Sequence, residues 1–333
     1  MKGLAKNAVN RVSIGADEAG QRLDNFLLAR LKGVPKSHVY KLVRGGEVRV
    51  NGARASASQK LAGSDQVRVP PVRVADAPPE APARSYPVLF EDDALLAIDK
   101  PAGIAVHGGS GVSWGVIESL RSARGDRFLE LVHRLDRDTS GVLLLARKRS
   151  ALTALHASLR AREADKRYQA LVAGVWRGDG VNVTTPLHKF LTVSGERRVR
   201  VAAAGDPEAQ SARSQFRPLW RLRWRDPAMA ARSGVDGLSL IEARIHTGRT
   251  HQIRVHLQSL GHPVLGDDKY GNEALNQLVA RGELCAGVPR NARMFLHAAR
   301  LALNHPRSGV ELVLAADWPQ ADAAWLQRLR ETC

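Results

Sequence analysis

Apolar residues near the start of the chain recur at helical spacing. The four that carry this pattern are Leu23, Phe26, Leu27 and Leu31. They predict an amphipathic helix over residues 21–31, because side chains three and four positions apart lie on one helix face. A second helix is predicted from an N-cap at Ser37 to about Arg44, where Gly45 and Gly46 end it.

Strict alternation of apolar and polar residues follows the second helix. EVRVNG, residues 47–52, places Val48 and Val50 on one side and ends in an Asn-Gly turn, which is typical of a strand entering a hairpin. QVRV, residues 66–69, repeats the alternation and predicts a second strand. The segment is therefore predicted to fold as two short helices on a small sheet.

A proline-rich stretch divides the chain. Residues 70–87 contain six prolines and little apolar periodicity, which favours a stiff, extended linker. We therefore predict a small N-terminal domain over residues 1–75, with its core at about 20–70. A linker over 76–87 would join it to a larger domain over 88–333.

The larger segment alternates short apolar runs with a few helices. The runs predicted as strands are 88–90, 95–98, 129–135, 141–148, 168–176, 238–245 and 311–316. Leu152, Leu155 and Leu159 share a helical stripe that Ser150 can cap. Antiparallel strands with helices set to one side predict an α+β fold. Residues 224–240 are irregular and predict an extra loop.

Charge sets the N-terminal segment apart from the rest. The 333 residues carry a formal net charge of +17. Residues 1–75 hold 14 lysines and arginines against 5 acidic residues, so more than half of the excess lies in less than a quarter of the chain. A field of this sign attracts polyanions. Nucleic acid is the predicted partner, and an anionic membrane surface is the competing one.

Several classes of protein are not expected. No apolar run approaches the roughly 20 residues needed to span a bilayer. The N-terminal residues lack the apolar stretch of a signal peptide. Two cysteines, Cys285 and Cys333, are too few for a disulfide framework or a zinc finger. We therefore predict a cytoplasmic protein without a membrane span, a disulfide or a structural metal.

The candidate chemistry lies in HRLDRDTSG, residues 133–141. A turn predicted just after Asp136 would expose its side chain. The neighbouring Arg134 and Arg137 would favour the ionised carboxylate. Such a group is suited to attacking or stabilising an electron-poor carbon and is poorly suited to acting as a general acid near neutral pH.

These residues alone leave other interpretations open. Asp-Arg pairs beside turns are commonly surface salt bridges of small energetic weight. His133, Asp136 and Asp138 could ligate a metal, although no second ligand cluster accompanies them. His251 and His256 lie five apart on a strand-like run, which would place them on opposite faces. We interpret both as structural or RNA-facing.

The N-terminal segment resembles the S4 domain. QRLDNFL (21–27) and VPKSHVYKLVRGGEVRVNG (34–52) carry the resemblance. The S4 domain is found in ribosomal proteins and RNA-modifying enzymes, which implies that the basic residues of this segment bind structured RNA. The residues expected to contact RNA are Arg22, Lys36, Ser37, Lys41, Arg44 and Arg49.

The larger segment resembles the RluA-type pseudouridine synthases. The motifs that carry this resemblance, in the family's order, are KPAGIAVHGGSG (100–111), LVHRLDRDTSGVLLLARK (131–148), RYQALVAG (167–174), TGRTHQIRVH (247–256) and MFLHAARL (294–301). Several motifs in sequence are far more specific than any one. The resemblance implies a catalytic domain with a mixed, mainly antiparallel sheet.

The same resemblance implies the isomerisation of uridine to pseudouridine. The N1–C1′ bond of a flipped nucleotide is cut, and the base turns and is rejoined through C5. Asp136 would be the catalytic carboxylate, acting at C1′, at C6 or in glycal formation. Arg254 would pair with Asp136, best of all through a bidentate contact, and Tyr168 would stack on the uracil. Leu296 would form the opposite wall of the pocket, and Arg134 would fill the gap left by the base.

The implied substrate is 23S ribosomal RNA or a large-subunit precursor, with transfer RNA as the alternative. Because no atoms are gained or lost, neither a metal nor another cofactor is expected, and a monomer is predicted. Two functions of other classes stay open. One is a non-catalytic RNA-binding or ribosome-assembly protein, and the other is a metal-dependent hydrolase or nuclease that uses Asp136 and Asp138.

Overall fold

The structure is a computed structural model that describes residues 8–333 except 32–33, 35, 73–80, 110–111, 127 and 194, and except the side chains of Lys36 and Ser37. The chain separates into two units, Met1–Ala81 and Pro82–Cys333. Among the described residues, none of the helices is long and apolar enough to cross a bilayer.

The N-terminal unit packs two helices on a small antiparallel sheet. Its described elements are β1 (Asn10–Ser13), α1 (Leu23–Arg30), α2 (Lys36–Arg44), β2 (Arg49–Val50), β3 (Ala53–Arg54) and β4 (Gln66–Val69). The strand order is β1-β4-β2-β3. The apolar stripe that predicted α1 is buried in one core with Val48 and Val50. Both predicted helices and both predicted strands are confirmed, but Ser37 is the second residue of α2 and not its N-cap.

The larger unit contains most of the strands. Those described are β5 (Val88–Glu91), β6 (Leu95–Lys100), β7 (Glu130–Leu131), β8 (Ser140–Ala146), β9 (Asp165–Ala173), β10 (Val181–Val183), β11 (Leu187–Leu191), β12 (Arg197–Val201), β13 (Ser214–Arg223), β14 (Gly237–Ile245), β15 (Leu296–Asn304) and β16 (Glu311–Ala315). Its described helices are α3 (Val116–Arg124), α4 (Arg149–Ala161), α5 (Pro227–Ser233), α6 (Gln252–Ser259), α7 (Glu273–Arg281) and α8 (Gln320–Thr332).

One large sheet organises this unit. In the part of the chain that the structure describes, ten strands join in the order β10-β13-β14-β9-β15-β8-β6-β5, with β16 beside β15 and β7 beside β8. Neighbouring strands are antiparallel except β8 and β15, which run parallel. β11 and β12 form a separate hairpin. The predicted α+β fold with a mixed, mainly antiparallel sheet is confirmed.

The centre of the sheet is buried on both faces. Leu143 and Leu145 of β8 belong to the core cluster that contains Tyr168, whereas Leu144 belongs to the cluster that contains Leu155 of α4. Successive side chains of a strand point to opposite faces, so a strand covered on both sides is an unbroken apolar run. This fixed strand directly follows the segment that carries Asp136.

Gly141 allows β8 to approach β15. Its φ is 105°, and a Cβ atom there would collide with the backbone of Ala298, its partner in the parallel pair. Only glycine satisfies both conditions at low cost.

Two local predictions in this unit are wrong. α4 begins at Arg149 after an N-cap at Lys148, so Ser150 lies inside the helix. The predicted extra loop at 224–240 contains α5, which Asp226 caps by accepting a hydrogen bond from the backbone N–H of Ala228 at 2.9 Å. Asp226 followed by Pro227 is typical of the start of a helix, but the irregular composition of the surrounding residues hid this pattern.

The prediction of no disulfide is also wrong. Cys285 and Cys333 are joined, with Cα atoms 5.7 Å apart, a separation that disulfide geometry accommodates. Both cysteines belong to a cluster of apolar residues in which α8 packs beside α5 and α7. The two residues lie 48 positions apart, so no local pattern indicated that they meet.

Candidate active site

Asp136 lies in a loop and not at the end of a strand. The predicted strand 129–135 is reduced to β7, which ends at Leu131, and residues 132–139 connect it to β8. Leu135 is buried in the core, and the backbone N–H of Thr139 donates to the carbonyl of Asp136 at 3.2 Å. The loop is therefore ordered by packing and by its own turn.

A buried lysine anchors this loop. Lys100, at the end of β6, is fully buried. Its Nζ donates hydrogen bonds to the carbonyl oxygens of Pro101 and Ile104, both at 2.8 Å, and of Arg137 at 2.9 Å. Burial lowers the pKa of Lys100 to about 7. Sequence reasoning missed this residue, although a lysine that ends an apolar strand is unusual enough to be a signal.

His133 joins the same loop to β8. Its Nε2 accepts a hydrogen bond from the backbone N–H of Leu144 in β8 at 3.1 Å. Burial, followed by the positive charge of Lys166, lowers the pKa of His133 to about 4. The ring is therefore neutral at pH 7, as an accepting nitrogen requires.

We expect acid to destabilise the protein through His133. Its pKa is about 4 in the fold against 6.5 ordinarily, so the unfolded chain binds more protons between these values. The free energy of unfolding should fall by about 3 kcal/mol from this residue as the pH drops through that window. Urea denaturation of the wild type and of His133→Gln, whose amide oxygen can still accept, measures the effect. Equal losses in both proteins would contradict the assignment.

Arg254 connects Asp136 to a second carboxylate. Its Nη1 lies 3.2 Å from Oδ2 of Asp136, while Nε and Nη2 donate to Asp267 at 2.6 and 2.7 Å. The structure thus brings the predicted pair together, but the bidentate contact goes to Asp267, whose side chain has no exposed surface. Although burial opposes the charge, hydrogen bonding to Asp267 and its negative charge raise the pKa of Arg254 above its ordinary value. Sequence reasoning missed Asp267.

The motif at 247–256 is helical where a strand was predicted. It includes most of α6, whose residues Gln252 to Leu257 are all buried. The Oε1 of Gln252 accepts from the hydroxyl of Thr247 at 2.8 Å and from the backbone N–H of Arg249 at 3.0 Å. These contacts fix the turn into α6 and thereby the direction of Arg254.

The two histidines of this motif have different surroundings. The Nε2 of His251 lies 4.0 Å from Oδ2 of Asp136, and its Nδ1 is hydrogen-bonded to the hydroxyl of Tyr270 at 2.8 Å. Burial lowers the pKa of His251. His256 is fully buried and hydrogen-bonded to Ser214. His256 is therefore structural, whereas His251 borders the candidate site. In the described residues, no set of three His, Cys, Asp or Glu side chains is arranged to hold a metal ion.

Asp136 and Tyr168 line one cleft of about 710 Å³. Tyr168 is buried on β9, where burial and then the negative charge of Asp136 raise its pKa. Arg134 is exposed at the same cleft. Leu296, predicted as the opposite wall, is buried in the core cluster that also contains Tyr168 and is not among the side chains that line the cleft. Ile245 supplies apolar lining instead.

The predicted RNA-binding side chains of the N-terminal unit differ in their exposure and in their ion pairs. Lys41, Arg44 and Arg49 are exposed. Arg22 is engaged by the nearly buried carboxylate of Asp24, with Nη2 and Oδ2 2.6 Å apart. Lys36 and Ser37 begin α2, but their side chains lie outside the described part of the chain.

Comparisons with known proteins match both units. A family model described as RNA pseudouridylate synthase matches residues 94–259, and an S4 domain model matches 21–67. The ribosomal large subunit pseudouridine synthase C of Escherichia coli (strain K12) is 46% identical over 332 residues, 97% of each chain. The protein of the same name from Yersinia pestis is 47% identical over 317 residues, 92% of each chain.

A solved structure agrees with these relatives. Human RNA Pseudouridylate Synthase Domain Containing 4 is 27% identical, with a TM-score of 0.54, over 73% of this chain and 93% of that chain. The resemblance that the motifs indicated is confirmed. The chain belongs to the RNA pseudouridylate synthase family, a family of isomerases, and carries an S4 domain before the synthase domain.

Proposed function

We propose that the protein converts specific uridines of 23S ribosomal RNA, or of its large-subunit precursor, to pseudouridine. One observation carries the proposal. The carboxylate of Asp136 is 28% exposed in a cleft that Tyr168 also lines, and Arg254 pairs with it from the protein side. The names of the relatives support a large-subunit RNA substrate.

The reaction balances within one nucleotide. The N1–C1′ bond breaks, the uracil turns, and a C5–C1′ bond forms while C5 loses a proton and N1 gains one. The target nucleotide leaves its stack at a cost of a few kcal/mol and enters the cleft, whose volume of about 710 Å³ is ample for it.

Each site residue then has a defined task. Asp136 acts at the junction of sugar and base, and the ion pair with Arg254 orients its carboxylate. Tyr168 stacks on the uracil, because a flat aromatic ring offers contact area at little entropic cost. Arg134 occupies the space that the flipped base leaves in the RNA. Leu296, in the same core cluster as Tyr168, is proposed to form the opposite wall of the pocket.

The N-terminal unit supplies affinity for structured RNA. Lys41, Arg44 and Arg49 are exposed cations that can pair with backbone phosphates. Arg22 contributes less, since Asp24 already neutralises it. Lys36 and Ser37 remain proposed contacts. The domain limits 1–75, 76–87 and 88–333 likewise remain our proposal.

The enzyme is proposed to act in the cytoplasm, as a monomer and without a metal or other cofactor. Unmodified 23S ribosomal RNA transcribed with uridine tritiated at C5 tests this function, because pseudouridine formation releases the label. We expect release to persist in EDTA while the transcript stays intact, with transfer RNA transcripts inactive. A pure RNA-binding protein would release no tritium, and a metal-dependent nuclease would shorten the RNA and fail in EDTA.

A further inference from the structure

Two neighbouring cations of β9 face opposite sides of the sheet. Arg167 shares a face with Asp165, with Nε and Oδ2 2.8 Å apart, and its Nη1 approaches Glu242 at 3.8 Å. Lys166 shares the other face with Tyr168, since side chains two positions apart in a strand point the same way. Lys166 accordingly lines the cleft that holds Asp136.

On the face that carries Arg167, each cation has a carboxylate partner. Asp165 also pairs with Arg244 and Arg300, each at 2.6 Å, and Glu242 pairs with Arg217 at 2.7 Å. Every cation named on that face therefore has a carboxylate partner.

Lys166 has no carboxylate partner of this kind. Among the described residues, its ammonium group makes no ion pair and donates no hydrogen bond. The residue is partly buried, and burial alone lowers its pKa. A partly buried cation without a partner is unfavourable for the folded protein unless a ligand supplies the anion.

The cleft itself cannot supply that anion. Asp136 is the one carboxylate among its described lining residues, and Arg254 already pairs with it. The other lining cations are Arg134, Arg137, Arg160 and Arg249. The ammonium group lies beside the turn before α6, where a Cβ atom on Gly248 would be 3.8 Å from Nζ of Lys166.

We infer that Lys166 is a positioning residue that binds a phosphodiester group of the RNA inside the cleft, two residues along β9 from Tyr168, on which the base stacks. The inference rests on the proposed function and adds the phosphate contact that places the flipped nucleotide. A phosphodiester group is an anion of the kind that this face of β9 lacks. Within one nucleotide it lies close enough to the base for two side chains on the same face of a strand to reach both groups.

Lys166→Met keeps the aliphatic length of the side chain and removes its charge. We expect KM for the 23S transcript to rise about tenfold with kcat little changed. The slope of log(kcat/KM) against log salt concentration should fall by about 0.7 to 0.9, as for one lost phosphate contact. Lys166→Arg should restore most of both. Arg167→Met, on the face where each cation has a carboxylate partner, should leave both at wild-type values.

Thermal unfolding gives an independent readout. Lys166→Met should unfold at the same temperature as the wild type or higher, because it removes an unpaired cation. A variant with wild-type KM and salt slope would overturn the inference. A lower kcat with an unchanged salt slope would overturn it too, by indicating a contact with a neutral base carbonyl.

A failure of the proposed function is distinguishable from a failure of this inference. If the wild type formed no pseudouridine, the salt dependence of Kd for the same transcript would still compare the wild type with Lys166→Met. If log Kd had the same dependence on log salt concentration in the two proteins, that result alone would contradict the phosphate contact.

Discussion

Replacing Asp136 by Asn is expected to abolish pseudouridine formation while leaving RNA binding nearly unchanged. The amide keeps the size of the side chain, and its oxygen can still accept a hydrogen bond from Arg254. It lacks the negative charge that acts at the sugar–base junction. Turnover should fall by about 10⁴-fold, and Kd for the transcript should stay within about twofold. Tritium release and filter binding measure the two quantities.

Asp138→Asn is the matched control for this variant. Asp138 lies in the same loop but pairs with Arg137 at 3.2 Å and does not line the cleft. We expect it to retain most of the activity. A nuclease that used both carboxylates would lose activity in both variants, and turnover by Asp136→Asn at the wild-type rate would remove the central proposal.

Arg254→Met should have the largest effect on stability. The side chain of Asp267 is fully buried, and without Arg254 its remaining contacts are the backbone N–H groups of Lys269 at 2.9 Å and Tyr270 at 3.0 Å. An uncompensated buried charge should lower the free energy of unfolding by about 3–5 kcal/mol. Urea denaturation of the variant measures this loss.

The double variant Arg254→Met/Asp267→Asn separates the two tasks of the arginine. The amide that replaces the carboxylate would be neutral, and its oxygen can accept the two backbone N–H groups, so much of the stability should return. Activity should not return, because Asp136 still lacks its ion pair. Restored turnover in the double variant would show that Arg254 serves the fold alone.

Local patterns predicted the N-terminal unit well. The helical stripe that begins at Leu23 and the alternation around Val48 and Val50 each arise from an element with one buried face. Such an element repeats its apolar residues at the period of a helix or of a strand. The same logic failed for α6. Ile253, Val255 and Leu257 alternate like a strand, but this helix is buried all round, so no helical period survives in its sequence.

The fold class and the two kinds of unit could be predicted from the sequence, and its motifs proposed Asp136, Tyr168 and Arg254 as site residues. Motif strings carry such information because it is local and repeated across a family. The partners of these side chains depend on the tertiary structure. Arg254 meets Asp136 across 118 positions of chain and gives its bidentate contact to Asp267.

The contacts of Lys100 and Lys166 and the Cys285–Cys333 disulfide likewise depend on the tertiary structure. Three carbonyl groups accept from Lys100, whereas the partly buried Lys166 has no acceptor among the described residues. Such differences, and whether two distant cysteines meet, depend on which strands and helices pack side by side. Packing is set by contacts between residues far apart in the chain, which no window along the sequence contains.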